Sequence, residues 1–156
     1  MAGSDVGDAG TFYAVGLDQR GRILAARWQL ISGVQRLAIA RLRPGGALDI
    51  SFSGDGMRAF RADGEAGEVD WIGVDPSARL VFAGYTAATI QVAVGRLRSD
   101  GSSDRSFGGN GVVLTAVRES AYGNDAYLDA ASRLVVGGSS YQGPNNVGML
   151  LRYLTS

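Results

Sequence analysis

The chain has 156 residues, 46% of them hydrophobic, with 24 glycines and only 3 prolines, a balance that fits one folded, turn-rich domain and not a disordered segment. Fifteen basic residues, all arginine, balance fifteen acidic ones, so the basic surplus that grips a phosphate backbone is missing and nucleic acid is not an expected partner. There is no Cys and no His, which removes thiol and imidazole chemistry and argues against hydrolase triads, metal centres and a cofactor.

The opening "MAGSDVGDAG" lacks the charged and apolar regions of a signal peptide. Met1–Ser4 is expected to be an artificial start from which a natural leader was removed. No run reaches the roughly 18 apolar residues of a membrane span. "GDAGTF" from Gly7 returns as "GEAGEV" from Gly64. "LDQRGRILAA" from Leu17 then returns as "VDPSARLVFAG" from Val74 and "LDAASRLVVGG" from Leu128. Asp-x-x-x-Arg before an apolar run therefore falls at Asp18/Arg22, Asp75/Arg79 and Asp129/Arg133, spaced by 57 and 54 positions. "RLRPGGALDISFSGDG" (Arg41–Gly56) returns as "RLRSDGSSDRSFGGNG" (Arg96–Gly111), and "LLRYLTS" from Leu150 sets Arg152 where Arg41 and Arg96 stand. Repeats of about 55 residues thus run approximately 7–63, 64–117 and 118–156, the last incomplete.

Within the second repeat four apolar segments read as strands: Asp70–Val74, Arg79–Tyr85, Ile90–Arg98 and Gly111–Val117. They are short, rich in Val, Ile, Leu and aromatics, and separated by turn residues. The third segment alternates Val92, Val94, Arg96 against Ala93, Gly95, Leu97, and the first repeat alternates Leu37, Ile39, Arg41 against Ala38, Ala40, Leu42. Both faces are apolar, one bulky and one small, so neighbours are expected front and back. Four-stranded units of this length point to an all-β fold of β-propeller blades, each made of four antiparallel strands and packed between two others. A parallel β-helix is the competitor, with coils too short for this period. Three blades do not close a ring. The chain also begins within the segment equivalent to a fourth strand and stops after a third, so an incomplete ring is expected. A second segment, or a second copy making a six-bladed homo-oligomer, would complete it.

The pattern Asp-x-x-x-Arg-(Ile/Leu)-(Leu/Val) followed by Arg-Leu-Arg-x-x-Gly-x-x-Asp-x-Ser-Phe-x-Gly-x-Gly resembles the bacterial delta-60 repeat, a tandem β-propeller repeat of large, mostly exported or surface proteins. The resemblance spans nearly the whole chain, with its most specific element at Asp49–Gly56 and Asp104–Gly111. Two departures stand out: the third repeat ends before its Ser-Phe element, and Gly45 replaces the Asp usual before Gly46. The resemblance implies a secreted or cell-surface location and little about function.

The repeated residues read mainly as structure. Asp18, Asp75 and Asp129 precede short turns, where a carboxylate caps backbone N–H groups two residues on; the alternative is a calcium ring, for which no loop offers enough oxygens. Arg41, Arg96 and Arg152 leave apolar strands and need partners, with Asp49 and Asp104 eight residues later in the first two repeats; an anion-binding channel is the alternative. Phe52 and Phe107 are expected to plug the space between blades. Gly54/Gly56 and Gly109/Gly111 look like a phosphate loop but open no helix.

One loop face is expected to gather Trp28, Tyr85 and Tyr141 with Asp63, Glu65, Glu68, Arg118, Glu119 and Tyr122. Exposed aromatics beside carboxylates and Asn145/Asn146 suit a sugar, with Trp28, Tyr85, Tyr141, Tyr122 and Glu119 as ligand-binding candidates. The competing reading makes Trp28 and Tyr85 caps on blade contacts. Three function classes follow: a non-enzymatic module binding a glycan or protein, a scaffold that only assembles, and a glycoside-hydrolase-type enzyme, for which no carboxylate has an identifiable acid or base environment.

Overall fold

The computed structural model describes residues 11–31, 34–60 and 67–155. The Met1–Ser4 start, the repeat starts at Gly7 and Gly64, and the loop acids Asp63 and Glu65 lie outside the described residues. Among the described residues eleven strands follow one another: β1 (Phe12–Leu17), β2 (Ile23–Ile31), β3 (Val34–Leu42), β4 (Met57–Phe60), β5 (Gly67–Val74), β6 (Leu80–Thr86), β7 (Val92–Leu97), β8 (Val112–Thr115), β9 (Ser120–Leu128), β10 (Arg133–Gln142) and β11 (Asn145–Leu154). They form three antiparallel sheets ordered β1-β2-β3-β4, β5-β6-β7-β8 and β9-β10-β11. Among the described residues the fold is all-β and does not close on itself.

Turn chemistry sets the strand limits and trims two expected segments. Ile90 has φ 42° and Gly111 φ 96°, conformations that cannot continue a strand. Thus β7 starts at Val92, where Ile90 had been the expected first residue, and β8 starts at Val112. At the Asp-x-x-x-Arg turns the fourth residue is left-handed: Gly21 (φ 71°), Ala78 (φ 60°) and Ser132 (φ 56°). Asp18 closes its turn by accepting from Gly21 N and donating to Arg22 O, the hairpin in which a left-handed residue follows a tight turn.

The sheets stack face to face. Ala14, Leu24, Ala26, Leu37, Ile39 and Phe52 of the first pack on Val69, Ile72, Leu80, Phe82 and Leu97 of the second. The other face of the second sheet, with Val81, Ala83, Val92, Val94 and Phe107, packs on Ala121, Leu134, Val136 and Met149 of the third. The second sheet is therefore covered on both sides, and every residue of β7 is buried. The small face of β7 is filled from within its own sheet: a Cβ on Gly95 would lie 1.9 Å from the Phe82 ring, so that glycine accommodates its cross-strand neighbour.

Candidate functional site

The sheets have two ends. At one, the Asp-x-x-x-Arg turns meet the Arg-Leu-Arg loops. Asp18 Oδ1 accepts from the amides of Arg20 and Arg22 and its Oδ2 from Arg22 Nε at 2.6 Å. Asp75 does the same with Ser77 and Arg79, and Asp129 with Ala131 and Arg133. Arg41 is buried; its Nε donates to Asp49 Oδ2 at 2.9 Å, its Nη2 to Ser51 Oγ, and its guanidinium lies 4.8 Å from the Phe52 ring centre. Arg96 forms the equivalent seat, with an ion pair to Asp104 at 2.8 Å, a hydrogen bond from Nη2 to Ser106 Oγ and its guanidinium over the Phe107 ring. Burial pushes the Asp49 carboxyl up, but the Ser51 hydroxyl and amide and the Arg41 charge outweigh it and hold it at about 2. These guanidinium groups are occupied, which leaves no donor set for an anion channel through Arg41 or Arg96.

Arg152 departs from its relatives. It pairs with Val135 as Arg41 pairs with Leu24 and Arg96 with Val81, so its register is equivalent. Its side chain is nevertheless exposed, with no hydrogen bond or ion pair among the described residues. Arg96 is buried where the third sheet covers its face, whereas among the described residues no sheet covers the face that carries Arg152.

The opposite end carries the candidate site. The first strand of each sheet has a register shift at the same place: between Phe12 and Ala14, between Val69 and Trp71, and opposite Gly137/Gly138 on β10, where Gly123 and Asp125 flank the skipped residue. The extra residues are Tyr13, Asp70 and Asn124. Bulges re-aim side chains and recur beside functional sites. Around the middle bulge stand Glu68, Tyr85, Tyr122 and Tyr141. Tyr85 and Tyr122 meet edge to face at 4.8 Å, and Tyr122 and Tyr141 at 5.8 Å. Tyr85 Oη donates to Glu68 Oε2 at 2.7 Å, and Asn146 Nδ2 donates to Tyr141 Oη. Asp70 Oδ2 is buried without a hydrogen-bond partner. Burial, then the Glu68 charge, raises the Asp70 carboxyl to about 6. Burial and the bond to Glu68 likewise push the Tyr85 hydroxyl up.

Of the five ligand-binding candidates, the structure brings together Tyr85, Tyr122 and Tyr141. Trp28 occupies the position on β2 equivalent to Tyr85 and donates from Nε1 to Tyr13 Oη at 2.8 Å. Glu119 accepts from the amide of Gly143 and so fastens the β10–β11 hairpin, while Arg118 reaches Gln142. Asp70 was read only as the first residue of a strand, and the bulge hides it. One signal was available: Tyr13, Asp70 and Asn124 each stand five residues before a turn aspartate.

Residues 21–52 match the family described as "Domain of unknown function (DUF5122) beta-propeller". A β-propeller domain is indicated. The matched stretch runs from the left-handed Gly21 through β2 and β3 to Phe52, the span that builds the Arg41–Asp49–Phe52 seat. No curated protein matches the chain.

Proposed function

We propose that the chain is a non-enzymatic recognition module built from three four-stranded blade repeats of the delta-60 kind, the third incomplete, on an exported or surface protein, and that it binds a polyhydroxylated ligand, a glycan, at the Asp70–tyrosine end. The observation that carries this reading is Asp70: a bulge sets its carboxylate beside Glu68 and three linked tyrosine rings, with one oxygen left unpartnered. Rings supply stacking area and carboxylates accept sugar hydroxyls. An immobilised glycan array tests it. The wild-type protein is expected to retain a subset of neutral glycans that Asp70→Asn and Tyr122→Ala release while both variants keep the wild-type circular dichroism. An array with no retained glycan would overturn the reading.

A second reading, assembly, is favoured by a different observation. The far face of the third sheet exposes Tyr127, Leu150 and Leu154 at 71%, 79% and 68%, beside the free Arg152. The positions equivalent to Leu150 and Arg152 on the second sheet, Val94 and Arg96, are buried against the next sheet. The far face of the first sheet in turn exposes Val15 and Leu17. Two copies joined head to tail would cover both faces and form a six-bladed ring. Light scattering should give about twice the 16.2 kDa chain mass, falling to the monomer in Leu150→Ser/Leu154→Ser. A wild-type monomer at high concentration would rule this out.

A further inference from the structure

The outer rim between the first and second sheets holds three arginines, of which the repeat supplies only Arg98, the second arginine of Arg-Leu-Arg. Arg58 on β4 pairs with Ile39, on the face turned to the second sheet. Arg98 and Arg105 flank Ser102 and Ser103 in the loop after β7, and these five residues line one recess of about 470 Å³. The repeat arginines Arg22, Arg41, Arg79, Arg96 and Arg133 each face a carboxylate at 2.6–2.9 Å. Among the described residues Arg58, Arg98 and Arg105 form no ion pair, and Arg58 Nε is buried with no hydrogen-bond partner at all. The repeat does not call for Arg58 or Arg105: one repeat on, Arg58 corresponds to Val113, which packs in the core between the second and third sheets. One repeat back, Arg105 corresponds to Ile50.

We propose that this recess binds an oxyanion, namely a phosphate, sulfate-ester or carboxylate group. Guanidinium N–H groups in a fixed fork match the oxygens of such a group, and the Ser103 hydroxyl adds a donor. Two acids share that loop: Asp104 is paired with Arg96, and Asp100 Oδ1 already accepts from Ser102 N and Oγ at 2.8 and 2.7 Å. Asp100, the one of the two with no ion pair among the described residues, thus stands against three guanidinium groups in a chain whose formal net charge is +0. The recess lies at the end of the sheets opposite the tyrosines, so it stands or falls independently of the glycan reading.

The test is an NMR titration of isotope-labelled protein at constant ionic strength with inorganic phosphate, inorganic sulfate, a sulfated disaccharide and its unsulfated counterpart. Saturable shifts of the Ser102 and Ser103 amides and of Arg58 Nε–H are expected. Saturation by the free ions identifies a site for the anion itself; saturation by the sulfated disaccharide alone identifies an anion carried on a sugar. Arg98→Ala/Arg105→Ala changes two exposed side chains and is expected to weaken binding about tenfold or more, whereas Asp100→Asn tightens it. Shifts that do not saturate, that chloride reproduces, that the unsulfated sugar also causes, or that persist unchanged in the double variant overturn the proposal.

Discussion

Arg41 donates from Nη1 to the backbone carbonyl of Ser99 at 2.6 Å, and this bond carries the first sheet's arginine across the boundary into the loop of the second. Arg96 makes the corresponding bond to the carbonyl of Thr155 beyond the third sheet. Each arginine is held by its own repeat through Asp49 or Asp104 and by the next repeat through a main-chain oxygen. The Arg-Leu-Arg…Asp-x-Ser-Phe element is therefore a coupling between neighbours as well as a local turn.

Removing Arg41 leaves the Asp49 carboxylate buried without its guanidinium, so Arg41→Ala is expected to cost about 3–5 kcal/mol. Arg152→Ala removes a side chain with no partner and should stay within about 0.5 kcal/mol. Urea unfolding of both variants checks the pair. Equal losses would show that Arg41 is not coupled to Ser99 and Asp49 as described.

Acid should undo the same coupling. The Asp49 carboxyl sits at about 2, below its ordinary value of 3.8, and those of Asp18 and Asp104 are also lowered. The folded state therefore gives up protons that the unfolded chain takes up first. Their stabilisation is fully present above pH about 4 and drains away as pH falls towards 2. Denaturant midpoints measured from pH 5 to pH 2 should fall steeply, and less steeply in Asp49→Asn, which begins from a lower plateau.

Ala78 occupies the left-handed position that Gly21 fills in the first repeat. An L side chain there costs about 1–2 kcal/mol against glycine's smaller entropic penalty. Ala78→Gly is accordingly expected to stabilise the protein by up to about 1 kcal/mol, an unusual direction for a glycine substitution. Thermal unfolding reads it directly, and a lower midpoint would count against the turn geometry.

The repeat period and its apolar alternation made the strands legible, because Asp18, Asp75 and Asp129 mark equivalent turns and Val92, Val94 and Arg96 alternate with Ala93, Gly95 and Leu97. Arg41–Asp49 and Arg96–Asp104 were readable for the same reason: a charge on an apolar strand needs a partner, and one recurs at a fixed distance. The bulges were not. One extra residue in a strand shifts alternation without changing composition, and Asp70 acquires its burial and its Glu68 neighbour only through that shift. Nor could equivalence alone distinguish Arg152 from Arg96, since what separates them is whether a neighbour covers the face.

Asp70 supplies the remaining test. Its folded carboxyl is raised to about 6 from an ordinary 3.8, so between those values the folded protein keeps a proton that the unfolded chain has lost. Stability contributed by this group falls as pH rises from about 4 to about 6 and is flat on either side. Asp70→Asn removes the charge while keeping the shape. At pH 8 it should stabilise the fold by about 1 kcal/mol, less than the full shift implies because Asp70 as a whole is only partly buried and water screens its charge; at pH 3.5 it should be nearly neutral. A destabilising Asn at pH 8 would mean that the carboxylate has a partner within the fold, and the free oxygen on which the ligand reading depends would be lost with it.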